Sequence, residues 1–228
     1  MRCVYCQQHF TENLSLRDIF LLEKLLPKEL CRSCRRLFTL NDHSDKCLGC
    51  DKVSAIDYCQ DCQAWQRAIP GVELNHESLF CYDEALHDWF QQYKFKGDIR
   101  LSHSFSQELN AYFRKYAQWL IVPIPVSASR LKSRGFNQVE ELLKAAMVPY
   151  VSLLKKQTQA EVPQSNKTRH DRLKTPQSFY LAEKKSLITK RQVLVVDDVY
   201  TTGRTILHAK ECLAQGQPLG LKTFSLAR

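Results

Sequence analysis

The sequence predicts an α/β protein with a parallel sheet, preceded by a small cysteine-rich domain. Beyond residue 77, short apolar runs alternate with segments of helical spacing, which is typical of parallel βαβ units. Residues 1–62 instead contain four Cys-x-x-Cys pairs and too few apolar residues for a core of their own. We therefore expect the cysteine-rich domain at 1–64, a linker at 65–77 and the α/β domain at 78–228.

The composition excludes several classes of protein. The 228 residues allow one or two domains with a substantial core. The longest uncharged apolar stretch, Trp119 to Ala128, is too short to cross a bilayer, and the N-terminal MRCVYCQQHF lacks the apolar segment of a signal peptide. We therefore expect a soluble, cytoplasmic protein without membrane insertion. The formal net charge of +9 favours a polyanionic partner such as nucleic acid.

The cysteine pairs predict two zinc ions. They are Cys3 with Cys6, Cys31 with Cys34, Cys47 with Cys50, and Cys59 with Cys62. Two thiolates at this spacing point at one ion, and two such pairs complete a tetrahedral site. Redox-active pairs or disulfides are the alternative, although a thioredoxin-like protein needs only one pair. The eight residues between Cys50 and Cys59 favour pairing in chain order, and interleaved pairing stays open.

The α/β domain is expected to begin and end with a strand. In chain order, spacing and composition predict a strand at 78–82, helices at 84–95 and 104–119, a strand at 120–126, a helix at 138–147, a basic arm or hairpin at 150–192, a strand from 193, a helix to about 215 and a strand at 221–226. Gly97 is a common helix stop, and the two prolines in 120–126 fit a strand end that turns into a loop.

The segment from Val193 to Thr205 predicts a binding site. Its first four residues form an apolar, β-branched-rich run, as in a strand buried on both faces of a parallel sheet. Two carboxylates, Asp197 and Asp198, follow where the strand is expected to end. The loop Thr201-Thr202-Gly203-Arg204-Thr205 then leads into a helical pattern.

This order of strand, acids, loop and helix suits a ribose 5-phosphate. A loop that opens a helix points backbone N–H groups outward at the positive end of the helix dipole, which makes a phosphate cradle. Gly203 permits positive φ and close approach of an anion, while threonine hydroxyls add donors. Asp197 and Asp198 would accept hydrogen bonds from the sugar hydroxyls. A buried strand followed by solvated acids and a polar turn is the plain structural alternative.

A second candidate site follows the predicted strand at 120–126. The segment VPIPVSASRLKSRGFNQ supplies hydroxyl donors and cations of the type that would bind a pyrophosphate group. These are Ser127, Ser129, Arg130, Lys132 and Arg134. An exposed loop with a few solvated basic side chains is the alternative.

The combination of motifs is specific. The segment VLVVDDVYTTGRT resembles the phosphoribosyl-pyrophosphate (PRPP) motif of type I phosphoribosyltransferases. Together with the N-terminal cysteine pairs, YKFKGD and RLKSRGFNQ, it resembles the ComF family of phosphoribosyltransferase-like proteins over essentially the whole chain. The resemblance implies a type I phosphoribosyltransferase-like parallel sheet with an N-terminal double zinc ribbon.

The same resemblance implies a role in natural transformation, on incoming single-stranded DNA and beside a helicase-like partner of the same system. By position, it assigns the ribose hydroxyls to Asp197 and Asp198 and the 5-phosphate to Thr201 through Thr205. Magnesium would accompany PRPP. The nucleic-acid candidates are Lys132 and four side chains of the basic arm, Lys167, Arg169, Arg172 and Lys174. A solvated loop whose charge serves solubility is the alternative for the arm.

Three hypotheses about function remain open. The first is a DNA-uptake factor that binds single-stranded DNA and a phosphoribosyl ligand. The second is an active phosphoribosyltransferase of nucleotide metabolism, for which the sequence shows a donor site but no acceptor-base pocket. The third is a PRPP-sensing regulator that binds duplex DNA, which would need a recognition helix that the sequence does not display. The family resemblance favours the first.

Overall fold

The computed structural model of the chain describes residues 1–11, 26–42, 44–157, 177–183 and 185–228. Its centre is a parallel sheet of four strands, in the order β1-β6-β5-β2. The strands are β1 (His76–Phe80), β2 (Leu120–Pro123), β5 (Gln192–Val199) and β6 (Gly220–Ala227). This sheet confirms the predicted α/β class.

The run at the start of β5 lies at the centre of the sheet, as its composition predicts. Val193 to Val196 pair with β2 on one side and with β6 on the other, and each of these residues is buried. The strand is longer than expected, because it continues through both aspartates to Val199. Asp197 keeps a partner on β6, Ser225, so the ladder does not stop at the acids.

Alternate side chains of β5 enter the two cores on opposite faces of the sheet, as period-two geometry requires. Leu194 and Val196 join a core that contains Trp89, Phe105 and Leu143. Val193 and Val195 belong to a second, smaller core. Seven α-helices are described: α1 (Arg32–Arg35), α2 (Gln60–Ala68), α3 (Glu84–Phe90), α4 (Ser106–Phe113), α5 (Ala128–Arg134), α6 (Gln138–Ala145) and α7 (Arg204–Ala214). Both faces of the sheet are therefore covered.

Two predicted helices differ from the observed ones. The segment 84–95 is α-helical only to Phe90 and then forms a π-helical turn, Gln91–Phe95. The segment 104–119 is divided into the end of a 3₁₀ helix (Ile99–Phe105), the helix α4 and a short 3₁₀ turn (Arg114–Tyr116). Among the described helices, none has both the length and the apolar character needed to cross a membrane.

The basic arm begins and ends as an antiparallel hairpin. Strand β3 (Leu154–Lys156) pairs with β4 (Phe179–Leu181), and the chain between them includes 158–176, which lies outside the described residues. Phe179 is fully packed in the smaller core, whereas the neighbouring Tyr180 is exposed. The four arm candidates, Lys167, Arg169, Arg172 and Lys174, fall in the undescribed range.

Candidate functional site

The eight cysteines gather into two groups of four in chain order. The first cysteine cluster is Cys3, Cys6, Cys31 and Cys34, and the second cysteine cluster is Cys47, Cys50, Cys59 and Cys62. Within each cluster all sulfur atoms lie within 4.8 Å of one another. The alternative of interleaved pairing is therefore wrong, and no disulfide is formed by these cysteines.

The spacing of the sulfurs fits zinc. Zn–S bonds of about 2.3 Å in a tetrahedron separate the sulfurs by about 3.8 Å. The Sγ atoms of Cys6 and Cys31 are 3.8 Å apart, and those of Cys50 and Cys59 are 3.6 Å apart. Backbone N–H groups point at the sulfurs as well, such as that of Cys59 at 3.2 Å from Cys47 Sγ. Both clusters can hold a metal ion, and the all-thiolate ligand set is typical of structural zinc.

The two aspartates lie near the carboxyl end of β5 and are buried. Asp197 is 8% exposed and Asp198 is 6% exposed. The Lys94 ammonium is 2.7 Å from Asp198 Oδ2. Asp198 Oδ1 accepts the N–H of Val199 at 2.7 Å, and Asp197 Oδ1 accepts the N–H of Asp198 at 2.8 Å. A ligand that reaches Asp198 must therefore displace Lys94.

The surroundings shift the pKa values of the two acids in opposite directions. Burial, followed by the charge of Asp198, raises the pKa of the Asp197 carboxyl to about 8. Burial acts in the same direction on Asp198, but the Lys94 ammonium outweighs it and holds the pKa of Asp198 below its usual value. Asp197 therefore holds a proton more readily than Asp198, and a protonated carboxyl donates a hydrogen bond whereas a carboxylate only accepts.

Lys94 is a site residue that the sequence analysis missed. It lies on the π-helical turn, and its ammonium also covers the Phe90 ring at 4.2 Å. The Arg134 guanidinium donates to the Lys94 carbonyl at 3.0 Å and to the Gln138 side chain, which lies beside Asp198 and helps to lower its pKa. The YKFKGD and RGFNQ motifs therefore meet at Asp198. Periodicity gave no signal for this, because the π-helical turn breaks the helical spacing.

The phosphate loop, Thr201–Thr205, opens α7 as predicted. Gly203 has φ +79° and is the residue before the helix, where its carbonyl accepts the N–H of Leu207 at 2.8 Å. Thr201 and Thr205 are exposed, and Gly203 packs against the Tyr200 ring. The first N–H groups of any helix lack intrahelical acceptors, so this end of α7 can receive an anion from solvent.

The pyrophosphate candidates follow the neighbouring strand β2, but they do not form a loop as expected: Ser127 caps α5, and the other candidates lie on that helix. Strand β2 is the direct neighbour of β5, so the residues after both strands share one edge of the sheet. Ser127 accepts the N–H of Arg130 and its hydroxyl is 3.1 Å from that of Ser129. Arg130 and Lys132 are exposed, whereas Arg134 turns back toward Lys94.

Comparison with known proteins identifies the family of the chain. Residues 102–228 match the family described as the phosphoribosyl transferase domain. The chain is 36% identical to competence protein ComFC of Streptococcus pneumoniae, over 100% of both chains. It is 28% identical to competence protein ComFC of Bacillus subtilis, covering 99% of this chain and 94% of that one. Competence protein F of Haemophilus influenzae is 26% identical over 80% of this chain and 90% of its own.

Solved structures overlap only in part. A hypoxanthine phosphoribosyltransferase from Staphylococcus aureus covers 54% of this chain and 60% of its own, with 16% identity and a TM-score of 0.32. An overlap of this size carries no weight here, and the assignment rests on the family match and the full-length relatives. The chain belongs to the ComF family of phosphoribosyltransferase-like proteins.

Proposed function

We propose that this protein acts in the uptake of DNA during natural transformation and binds a PRPP-like phosphoribosyl ligand at the phosphate loop. The full-length relatives are named competence proteins, which supports the biological role. The observation that carries the ligand is the placement of an acid pair and a positive-φ glycine at the carboxyl end of the central strand, directly before α7.

Each part of the ligand has a partner at this edge of the sheet. The N–H groups and hydroxyls of the phosphate loop bind the 5-phosphate, and Asp197 and Asp198 bind the ribose hydroxyls after Lys94 has moved. Ser127, Ser129 and Arg130 face the pyrophosphate. Arg134 is less available to the pyrophosphate, because its guanidinium already donates to the Lys94 carbonyl and to the Gln138 side chain.

Magnesium would arrive with the pyrophosphate. Mg²⁺ prefers oxygen ligands, keeps several waters and is commonly held by one or two carboxylates plus substrate phosphates. The two acids at the end of β5, Asp197 and Asp198, are buried, and Asp198 is paired with Lys94. These two acids therefore fit a Mg²⁺ ion that arrives bound to the ligand, whereas zinc binds at the two cysteine clusters.

Titration calorimetry with PRPP and magnesium tests the ligand site. Changing Asp197→Asn and Asp198→Asn together removes the charged acceptor while the side-chain shape stays the same. We expect the Kd for PRPP to rise at least tenfold, since hydrogen bonds to a charged group are each worth about 1.5–3 kcal/mol. The exposed Asp42→Asn is the control and keeps the wild-type Kd. An unchanged Kd in the double variant, with two zinc ions still bound, would show that the site is misplaced.

We propose that the single-stranded DNA surface consists of Lys132 and the four arm candidates at 167–174, namely Lys167, Arg169, Arg172 and Lys174, and that the protein works beside a helicase-like partner in the cytoplasm. Changing Arg169, Arg172 and Lys174 to Gln should weaken binding of an oligothymidylate and flatten its dependence on salt by about one unit for each phosphate that is no longer neutralised. The matched control changes Lys185, Lys190 and Arg191 to Gln, which removes the same charge. These residues lie before β5, at the end of the strand opposite to the two aspartates. Equal slopes in the two triple variants would rule out the arm.

An active phosphoribosyltransferase is the second candidate, favoured by the match to the phosphoribosyl transferase domain. Release of pyrophosphate from PRPP, measured with each nucleobase in turn, separates the two. A DNA-uptake factor releases none above the uncatalysed rate, whereas turnover with one base at ordinary enzyme rates of about 1–1000 s⁻¹ would establish the enzyme.

A further inference from the structure

The second cysteine cluster lies against the phosphate loop. Its four cysteines share one buried group of side chains with Tyr200, which precedes the loop, and Ile206, which follows it. The first cysteine cluster has no such contact among the described residues: its buried cysteines pack with Phe38, Phe80 and Phe105 in the main core. The two clusters therefore have different neighbours.

Two side chains connect the second cysteine cluster to the loop backbone. Trp65 lies on α2, which contains Cys62 and begins directly after Cys59, so two of the metal ligands fix this helix. Its indole Nε1–H donates to the Thr202 carbonyl at 2.7 Å. The C-terminal Arg228 contacts Cys50 Sγ at 3.2 Å through Nη2.

Arg228 also reaches the loop. Its Nη1 donates to the carbonyls of Tyr200 and Thr201 at 3.2 and 3.0 Å, and its guanidinium lies over the Tyr200 ring at 4.7 Å. Trp65 donates to the next carbonyl, that of Thr202. Three successive carbonyls therefore accept hydrogen bonds from side chains on the side of the second cysteine cluster.

The orientation of these carbonyls determines the orientation of the next three N–H groups. In a trans peptide the C=O and N–H bonds are coplanar and point in opposite directions, and the described chain contains no cis peptide. Carbonyls of Tyr200, Thr201 and Thr202 that face the cluster therefore turn the N–H groups of Thr201, Thr202 and Gly203 to the other side. Those are the first donors of the phosphate loop.

We propose that the second metal site positions the phosphate loop through Trp65 and Arg228, so that affinity for the phosphoribosyl ligand depends on metal in the second cysteine cluster and not on metal in the first. The proposal rests on the function proposed above, because it assigns a structural determinant to the same ligand site. The metal acts here by holding α2 and the Cys50 turn in place, and it takes no part in binding the ligand.

A matched pair of cysteine variants tests this dependence. Cys31 and Cys59 are each 9% exposed and each precedes a helix, the first in the first cluster and the second in the second. Both Cys31→Ala and Cys59→Ala should lower the zinc content from two ions to one. Only Cys59→Ala should speed hydrogen exchange in a peptide covering 199–207 and raise the Kd for PRPP at least tenfold.

A variant that keeps both metal ions separates the loss of a loop contact from general unfolding. Trp65→Phe removes the indole donor to Thr202 and preserves an aromatic side chain, with Trp119→Phe as the control. We expect Trp65→Phe to retain two zinc ions and to weaken PRPP binding about fivefold, the effect of one hydrogen bond, with faster exchange in the loop.

The proposal is overturned if loop exchange in Cys59→Ala and Trp65→Phe equals that of their controls. Hydrogen exchange needs no ligand, so this result is separate from the function proposed above. A wild-type protein that fails to bind PRPP would refute that function, while faster loop exchange confined to Cys59→Ala and Trp65→Phe would still establish the mechanical link.

Discussion

Gly203 combines two constraints at one residue. Its φ of +79° lies in the left-handed region, and a Cβ at this position would overlap the Tyr200 side chain. The same ring is covered on other sides by Arg228 and His76. The ring therefore cannot move aside without disturbing the supports of the phosphate loop, which makes glycine the residue that fits here.

Gly203→Ala should be more damaging than the backbone conformation alone explains. Left-handed φ costs a non-glycine residue about 1–2 kcal/mol, and steric overlap adds to this. Gly135→Ala is the control, since Gly135 has φ +86° with open space around its Cβ direction. Urea unfolding should show a loss of stability in Gly203→Ala at least about 1 kcal/mol greater than in Gly135→Ala. Equal losses of stability would mean that the Tyr200 ring moves aside at no energetic cost.

His76 makes the fold sensitive to acid. Its ring is buried between the hydroxyls of Thr223 and Ser225, at 3.0 and 2.8 Å. Burial, followed by the charge of Arg228, lowers the pKa of His76 to about 3. The unfolded chain therefore takes up a proton near pH 6.5 that the folded chain refuses, so the free energy of unfolding falls as the pH drops from about 6.5 toward 3.

His76→Gln should remove this part of the pH dependence. The stability advantage of the wild type over the variant should shrink by roughly 1 kcal/mol for each pH unit below 6.5. Urea unfolding of both proteins at pH 7.5, 6.5 and 5.5 measures this difference. A difference that stays constant across this range would contradict a neutral, buried His76.

At the level of elements, the sequence predicted the central strand β5 and the phosphate loop. It did not predict which side chains from distant parts of the chain contact them. The apolar run of β5 and the glycine before α7 are local signals, and both are confirmed. The ion pair of Asp198 is made with Lys94, which is about a hundred residues away along the chain. Nothing in the spacing of 84–95 indicates a π-helical turn, in which the backbone bonds run between residues five apart.

The ion pair between the π-helical turn and β5 should contribute to stability. Lys94→Gln leaves the buried Asp198 carboxylate without its cation, which we expect to cost about 1–3 kcal/mol at pH 7. Lys96→Gln is the control, because Lys96 is exposed on the same turn of chain. Urea unfolding compares the two variants. A Lys94→Gln protein as stable as Lys96→Gln would show that the pair contributes little.

At the level of the whole molecule, the N-terminal module supports the site in the sheet. Sequence spacing predicted two metal sites and the structure groups the cysteines accordingly. It could not predict that α2 reaches Thr202 across 137 residues, or that the last residue of the chain, Arg228, contacts Cys50. Such contacts depend on how the module and the sheet pack, and a motif carries no information about them.

The central claim is that the edge of the sheet formed by β5 and the phosphate loop binds a phosphoribosyl ligand. A crystal structure of the protein grown with PRPP and magnesium tests it most directly. We expect the 5-phosphate on the N–H groups of Thr201–Thr205, the ribose hydroxyls on Asp197 and Asp198, and Lys94 displaced from Asp198. Ligand bound elsewhere at saturating concentration, with the Lys94–Asp198 pair intact, would contradict the account.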